Sequence, residues 1–175
     1  MKYFTRKKNR LPGFDYSSCN RYFITSIVKY RKPYFGNVFD SKMVLSDFGH
    51  IVDQQWDWLL KTYPYLKSHG FIVMPDHIHG ILEITNEPSY QGKIKSLSEL
   101  MGAYKTTTSK HIHLAGVPDF EWHRSFHDHI VRNESAFICM KNYIRLNPKR
   151  WMEKNPISRL VTGHVVGTGR DLSLR

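Results

Sequence analysis

Two strand-length runs meet at one turn. "LKSHGFIVMP", Leu66 to Pro75, gives way at Pro75-Asp76 to "HIHGILEIT", His77 to Thr85. Runs of this length separated by a Pro-Asp turn signal predict two strands paired as a hairpin. The segments around the hairpin then have few ways to fold. "RYFITSIVKY", Arg21 to Tyr30, predicts an earlier strand. Phe48, Ile51, Val52, Trp56, Leu59 and Leu60 form a helical stripe that Pro64 ends. Ser96 and Glu99 form a capping box for a second helix reaching about His111. "EWHRSFHDHIVR" predicts a fourth strand. Asn133 and Glu134 cap a last helix, "ESAFICMKNYIRLN", stopped by Pro148. The order β-α-β-β-α-β-α begins as a ferredoxin-like (RRM-like) α+β arrangement. That is an antiparallel sheet with helices mainly on one face, here followed by a C-terminal helix. No internal repeat or low-complexity tract interrupts it.

Charge narrows the partners. The 175 residues suit about one domain. They carry a formal net charge of +11, and the first ten residues hold five Lys or Arg and no acid. Such a balance points to a polyanion, nucleic acid before membrane. Aromatic residues make up 14% of the chain, and interleaved with basic ones they suit the unstacked bases of single strands. No apolar run reaches the roughly 18 residues that would span a bilayer. No apolar signal core follows the basic N-terminus. Cys19 and Cys139 lack metal-type spacing, which fits a reducing cytoplasm.

The hairpin also carries the main chemical signal. On a strand of period two, His77 and His79 share a face with Ile81, Glu83 and Thr85, while Ile78, Gly80, Leu82 and Ile84 face the core. Two imidazoles on one face can bind one divalent ion; the alternative is a pair of solvated or core-satisfied histidines. His-x-His occurs three times. His111 and His113 sit near a helix end, where they diverge by about 200°. His127 and His129 lie in the fourth strand and compete with the first pair. On the last helix, Tyr143 and Asn147 stand four residues apart on one face, offering a phenol and an amide oxygen. Packing beside Met140 and Ile144 would equally account for Tyr143. Lys141 and Arg145 lie on the opposite side, as a solvated basic face.

"VMPDHIHGIL", followed about 65 residues later by "YIRLNP", resembles the single-tyrosine HUH transposases, above all the REP-associated tyrosine transposases and their insertion-sequence relatives. The resemblance runs from about Arg21 to Trp151 and includes "KYRKPYF", "YKTTTSKHI" and "SFHDHIVRNE". It implies a catalytic domain over residues 21–151, between a basic arm at 1–20 and a basic tail at 152–175. It implies Tyr143 as nucleophile and His77, His79 and Asn147 as ligands of Mg or Mn. Glu83 is a further acid, base or ligand candidate on the histidine face. Lys105, Arg124 and Arg132 fall in family-like segments and are candidate phosphate contacts. Phe126 and Trp122 are candidates for base stacking or for the core.

The expected reaction is cleavage and rejoining of single-stranded or hairpin DNA through a 5′-phosphotyrosine. Two other readings remain open: a nucleic-acid-binding protein that keeps the fold without cleaving, and a metal-dependent nuclease that uses water. Either a homodimer or a monomer is compatible with the sequence.

Overall fold

A computed structural model of the chain describes residues 10–155. Strand β1 (Arg21–Ile27) is followed by a short hairpin, β2 (Gly36–Phe39) and β3 (Lys42–Leu45). Helix α1 (Asp47–Thr62) leads to the long hairpin β4 (Leu66–Met74) and β5 (His77–Ile84). Helix α2 (Leu97–Leu114), strand β6 (His127–Val131) and helix α3 (Glu134–Lys154) complete the order. The main sheet is antiparallel with strand order β4-β5-β1-β6, the ferredoxin-like arrangement expected from the sequence.

Local chemistry accounts for the boundaries. The Ser46 hydroxyl caps α1 by accepting from the Gly49 N–H. Ser96 and Glu99 form a complete capping box on α2. Asn133 caps α3 by accepting from Ala136.

The two sheet faces are covered unequally. One carries the large core: Tyr22, Ile24, Ile78, Leu82 and Ile84 pack with Val52, Trp56 and Leu59 of α1 and Leu100, Met101 and Tyr104 of α2. The other carries a small cluster of Ile81, Val131, Phe137 and Ile144 beneath α3. Gly80 permits the close approach of α1: a Cβ there would lie 2.7 Å from Cη2 of Trp56. The Trp56 indole instead stacks on Phe71 and donates its N–H to Ser68.

Four expectations change. The β2–β3 hairpin lacks the usual sequence signal because its two turn residues, Asp40 and Ser41, adopt positive φ (45° and 58°) without a glycine. The fourth strand is shorter than "EWHRSFHDHIVR", with Trp122 contributing only an isolated bridge to Val28. Pro148 does not stop the last helix. It has no N–H for the Ile144 carbonyl, yet the helix continues to Lys154, held by Trp151 against His77 and by Met152 against the Ser41 N–H. Part of the expected arm also belongs to the body: Tyr16 stacks on Tyr22 and accepts the Leu97 N–H at its carbonyl. The rest of the arm, residues 1–9, and residues 156–175 of the tail lie outside the described residues.

Candidate active site

β5 turns both His77 and His79 toward α3, as the strand period requires. They are 7% and 4% exposed, and their Nε2 atoms stand 3.1 Å apart. Each outer nitrogen has its own partner. The His77 Nδ1–H donates to Asp76 Oδ1 at 2.5 Å, and His79 Nδ1 lies 2.8 Å from the Thr25 hydroxyl on β1. Asp76 is itself buried and meets Arg31 through its other oxygen at 3.3 Å. Burial first, and the neighbouring His77 second, push the His79 pKa down to about 3, so this imidazole is neutral at physiological pH.

α3 closes the site from above. Asn147 is 6% exposed, and its amide makes no hydrogen bond among the described residues. An amide on the cleft wall without a protein partner is open to a ligand or to water. Tyr143 stands edge-on to the His79 ring, with centroids 5.1 Å apart, and edge-on to Phe23 at 5.8 Å. These side chains line one open cleft of about 900 Å³ together with Thr25, Arg31, His127, Arg150 and Trp151.

The donor set suits a divalent ion. Two donors about 2.1 Å from one octahedral ion, at right angles, stand about 3.0 Å apart. The observed Nε2 separation is 3.1 Å. Outer nitrogens engaged by a carboxylate and a hydroxyl are the arrangement that aims Nε2 lone pairs at a metal. Among the described residues no cluster of three His, Cys, Asp or Glu side chains forms a metal site. Asn147 lines the same cleft and carries an amide oxygen.

The other candidates are placed elsewhere. Glu83 lies at the far end of β5, paired with His69 and 3.7 Å from Arg21, outside the cleft. Its place on the histidine face was legible, but the length of the strand separates it from His77. The carboxylate beside the histidines is Asp76, which as part of the turn carried no face assignment. His127 shares the β5 histidine face, with Thr25 pairing with both it and His79. It lines the cleft, whereas His129 lies one pair further along β6, in a different hollow. His113 points its Nε2 at the Phe120 carbonyl.

Lys105 donates to the carbonyls of His123 and Arg124 at 2.7 and 3.3 Å, and burial lowers its pKa to about 8. Arg124 is exposed in the same second groove, and Arg132 lies beside Arg10 and Asn133 in a third. Phe126 and Trp122 are buried in the core.

No family model matches the sequence. The chain is 26% identical over 161 residues to an uncharacterised protein of Haemophilus influenzae, an alignment covering 83% of this chain and 89% of that one. Among solved structures it is similar to a REP-associated tyrosine transposase bound to a REP hairpin. The TM-score is 0.58 and the identity 17%, over 99% of this chain and 96% of that one. The four-stranded sheet, with α1 and α2 on one face and α3 carrying Tyr143 over the other, is therefore the fold of a REP-associated tyrosine transposase.

Proposed function

We propose that this chain is a DNA strand transferase of the single-tyrosine HUH transposase type, cutting and rejoining single-stranded or hairpin DNA through Tyr143. One observation carries the reading: Tyr143, the paired Nε2 atoms of His77 and His79 and the unpartnered Asn147 amide converge in a single cleft. The fold likeness supports the same partner class, since that transposase was solved with a REP hairpin. The net charge of +11 supports a polyanionic substrate. On this reading residues 21–151 form the catalytic domain, extended by the last turn of α3. The basic residues at either end serve DNA contact, and the protein works in the cytoplasm as a monomer or homodimer.

His77, His79 and Asn147 would hold the divalent ion, Mg or Mn. The two imidazoles favour Mn of the two, because Mg binds through oxygen donors. When bound, the ion supplies positive charge beside the scissile phosphate and the Tyr143 phenol. The chain's own residues do the rest. Asp76 and Thr25 hold the imidazole rings, and the His79 and Phe23 edges hold the Tyr143 ring. The Tyr143 oxygen bonds to phosphorus as the bond to the 3′ oxygen breaks, giving a 5′-phosphotyrosine and a free 3′-OH. The ester keeps the bond available to a later 3′-OH, which hydrolysis would not.

The test is direct. The protein is incubated with labelled hairpin-ended single strands and manganese, and a denaturing gel is searched for a protein–DNA adduct. An adduct mapping to Tyr143 is the expected result. Cleavage without an adduct would replace this reading with a hydrolytic nuclease, and DNA binding without cleavage would replace it with a binding protein.

A further inference from the structure

Arg150 lies seven residues beyond Tyr143 on α3, so the two share a helix face. Its guanidinium carbon stands 5.1 Å from the centre of the Tyr143 ring. Both side chains line the cleft that holds the histidine pair. A second arginine in that cleft, Arg31, is engaged with Asp76 at 3.3 Å. Arg150 has no ion-pair partner among the described residues. An exposed guanidinium over one aromatic ring in the cleft, with no carboxylate partner among the described residues, is placed for an anion that approaches that ring.

We propose that Arg150 is a catalytic residue that grips the phosphate Tyr143 attacks, through a non-bridging oxygen. The proposal rests on Tyr143 being the nucleophile. As the Tyr143 oxygen bonds to phosphorus and the bond to the 3′ oxygen breaks, the phenol gives up its proton. The 3′ oxygen takes one up through solvent. Arg150 stays protonated throughout. In phosphoryl transfer the charge spreads over the non-bridging oxygens, and a guanidinium fork matches two such acceptor positions. A lysine is a point charge and supplies no fork.

The test removes the charge from each partner in turn. The cut site of the wild-type protein is mapped on hairpin-ended single strands with randomised flanks, in manganese. The mapped substrate is then made with either the natural phosphate or a neutral methylphosphonate at that position. On the natural linkage, Arg150→Ala is expected to lower the single-turnover rate by about 10²-fold, the usual cost of losing one transition-state donor. Binding of uncut DNA should change far less. Arg150→Lys should recover part of the rate. On the methylphosphonate the gap between wild type and Arg150→Ala should shrink to under about 10-fold, because no phosphate charge is left to offset.

Thermal melting equal to wild type keeps a folding defect apart from a catalytic one. A gap of the same size on both linkages would mean that Arg150 merely supports the Tyr143 ring, and would overturn the proposal. So would Arg150→Ala cutting within a few-fold of wild type. Full cutting by Tyr143→Phe would instead overturn the tyrosine reading on which this rests, and absence of any cutting by the wild type would overturn both.

Discussion

Asp76 Oδ1 lies 2.5 Å from Nδ1 of its neighbour His77, and this one contact decides which way the His77 ring presents its other nitrogen. A carboxylate is an acceptor, so the arrangement in which Nδ1 donates to it leaves Nε2 with its lone pair facing His79. Asp76→Asn keeps the shape but removes the charge. Manganese affinity measured by calorimetry should fall by about tenfold or more, the usual effect of losing a partner behind a ligating histidine. Unchanged affinity would mean that Asp76 serves the turn and Arg31 alone.

Tyr143→Phe removes one oxygen and leaves the ring contacts with His79 and Phe23 in place. Cleavage and adduct formation should disappear, while the melting temperature and the affinity for uncut DNA stay close to wild type. Neither Met140 nor Asn147, on the same helix face, can form the ester instead. Metal-dependent cutting by the purified variant would show that the nucleophile is water or another residue.

The salt dependence of DNA binding should separate Lys105 from Arg124. Each phosphate neutralised on a single strand adds about 0.7 to the logarithmic salt slope. Lys105 already donates to two backbone carbonyls, so Lys105→Met should leave the slope unchanged and cost stability on the order of 1 kcal/mol. Arg124 is exposed, and Arg124→Ala should lower the slope by about one contact's worth. The reverse pattern would put Lys105 on the DNA.

Gly80→Ala is a test of the architecture. Its new Cβ would meet Trp56 at 2.7 Å, between the sheet and α1. Urea denaturation should show a loss of about 1–3 kcal/mol from overpacking. A neutral result would mean that Trp56 has a second rotamer available.

The strands and helices were legible where periodicity and caps agreed. The β4–β5 hairpin, the Ser96 capping box and the shared face of His77 and His79 follow from period, turn chemistry and hydrogen-bond capacity alone. The β2–β3 hairpin was not legible, because Asp40 and Ser41 are not residues that announce a turn of positive φ. The helix beyond Pro148 was hidden for a different reason: Trp151 and Met152 hold it through tertiary contacts that no local rule contains. The same limit applied to the site. Strand period put Glu83 with the histidines, but only three-dimensional distance shows that Thr25, from a strand about fifty residues away, is the His79 partner.

The unequal cover of the two sheet faces sets an order of opening. α1 and α2 are tied down by a broad aromatic and aliphatic layer, while a small cluster built on Phe137 and Ile144 of α3 and Ile81 and Val131 of the sheet, with Trp151 and Met152 further along, holds α3. Stability follows buried apolar surface, so α3 should detach at a lower free energy than the sheet unfolds. In native-state hydrogen exchange its amides should then lose protection well before those of β5. Tyr143 and Asn147 ride on that helix, so each detachment would separate the phenol and the amide from the two imidazoles and leave the histidine strand intact.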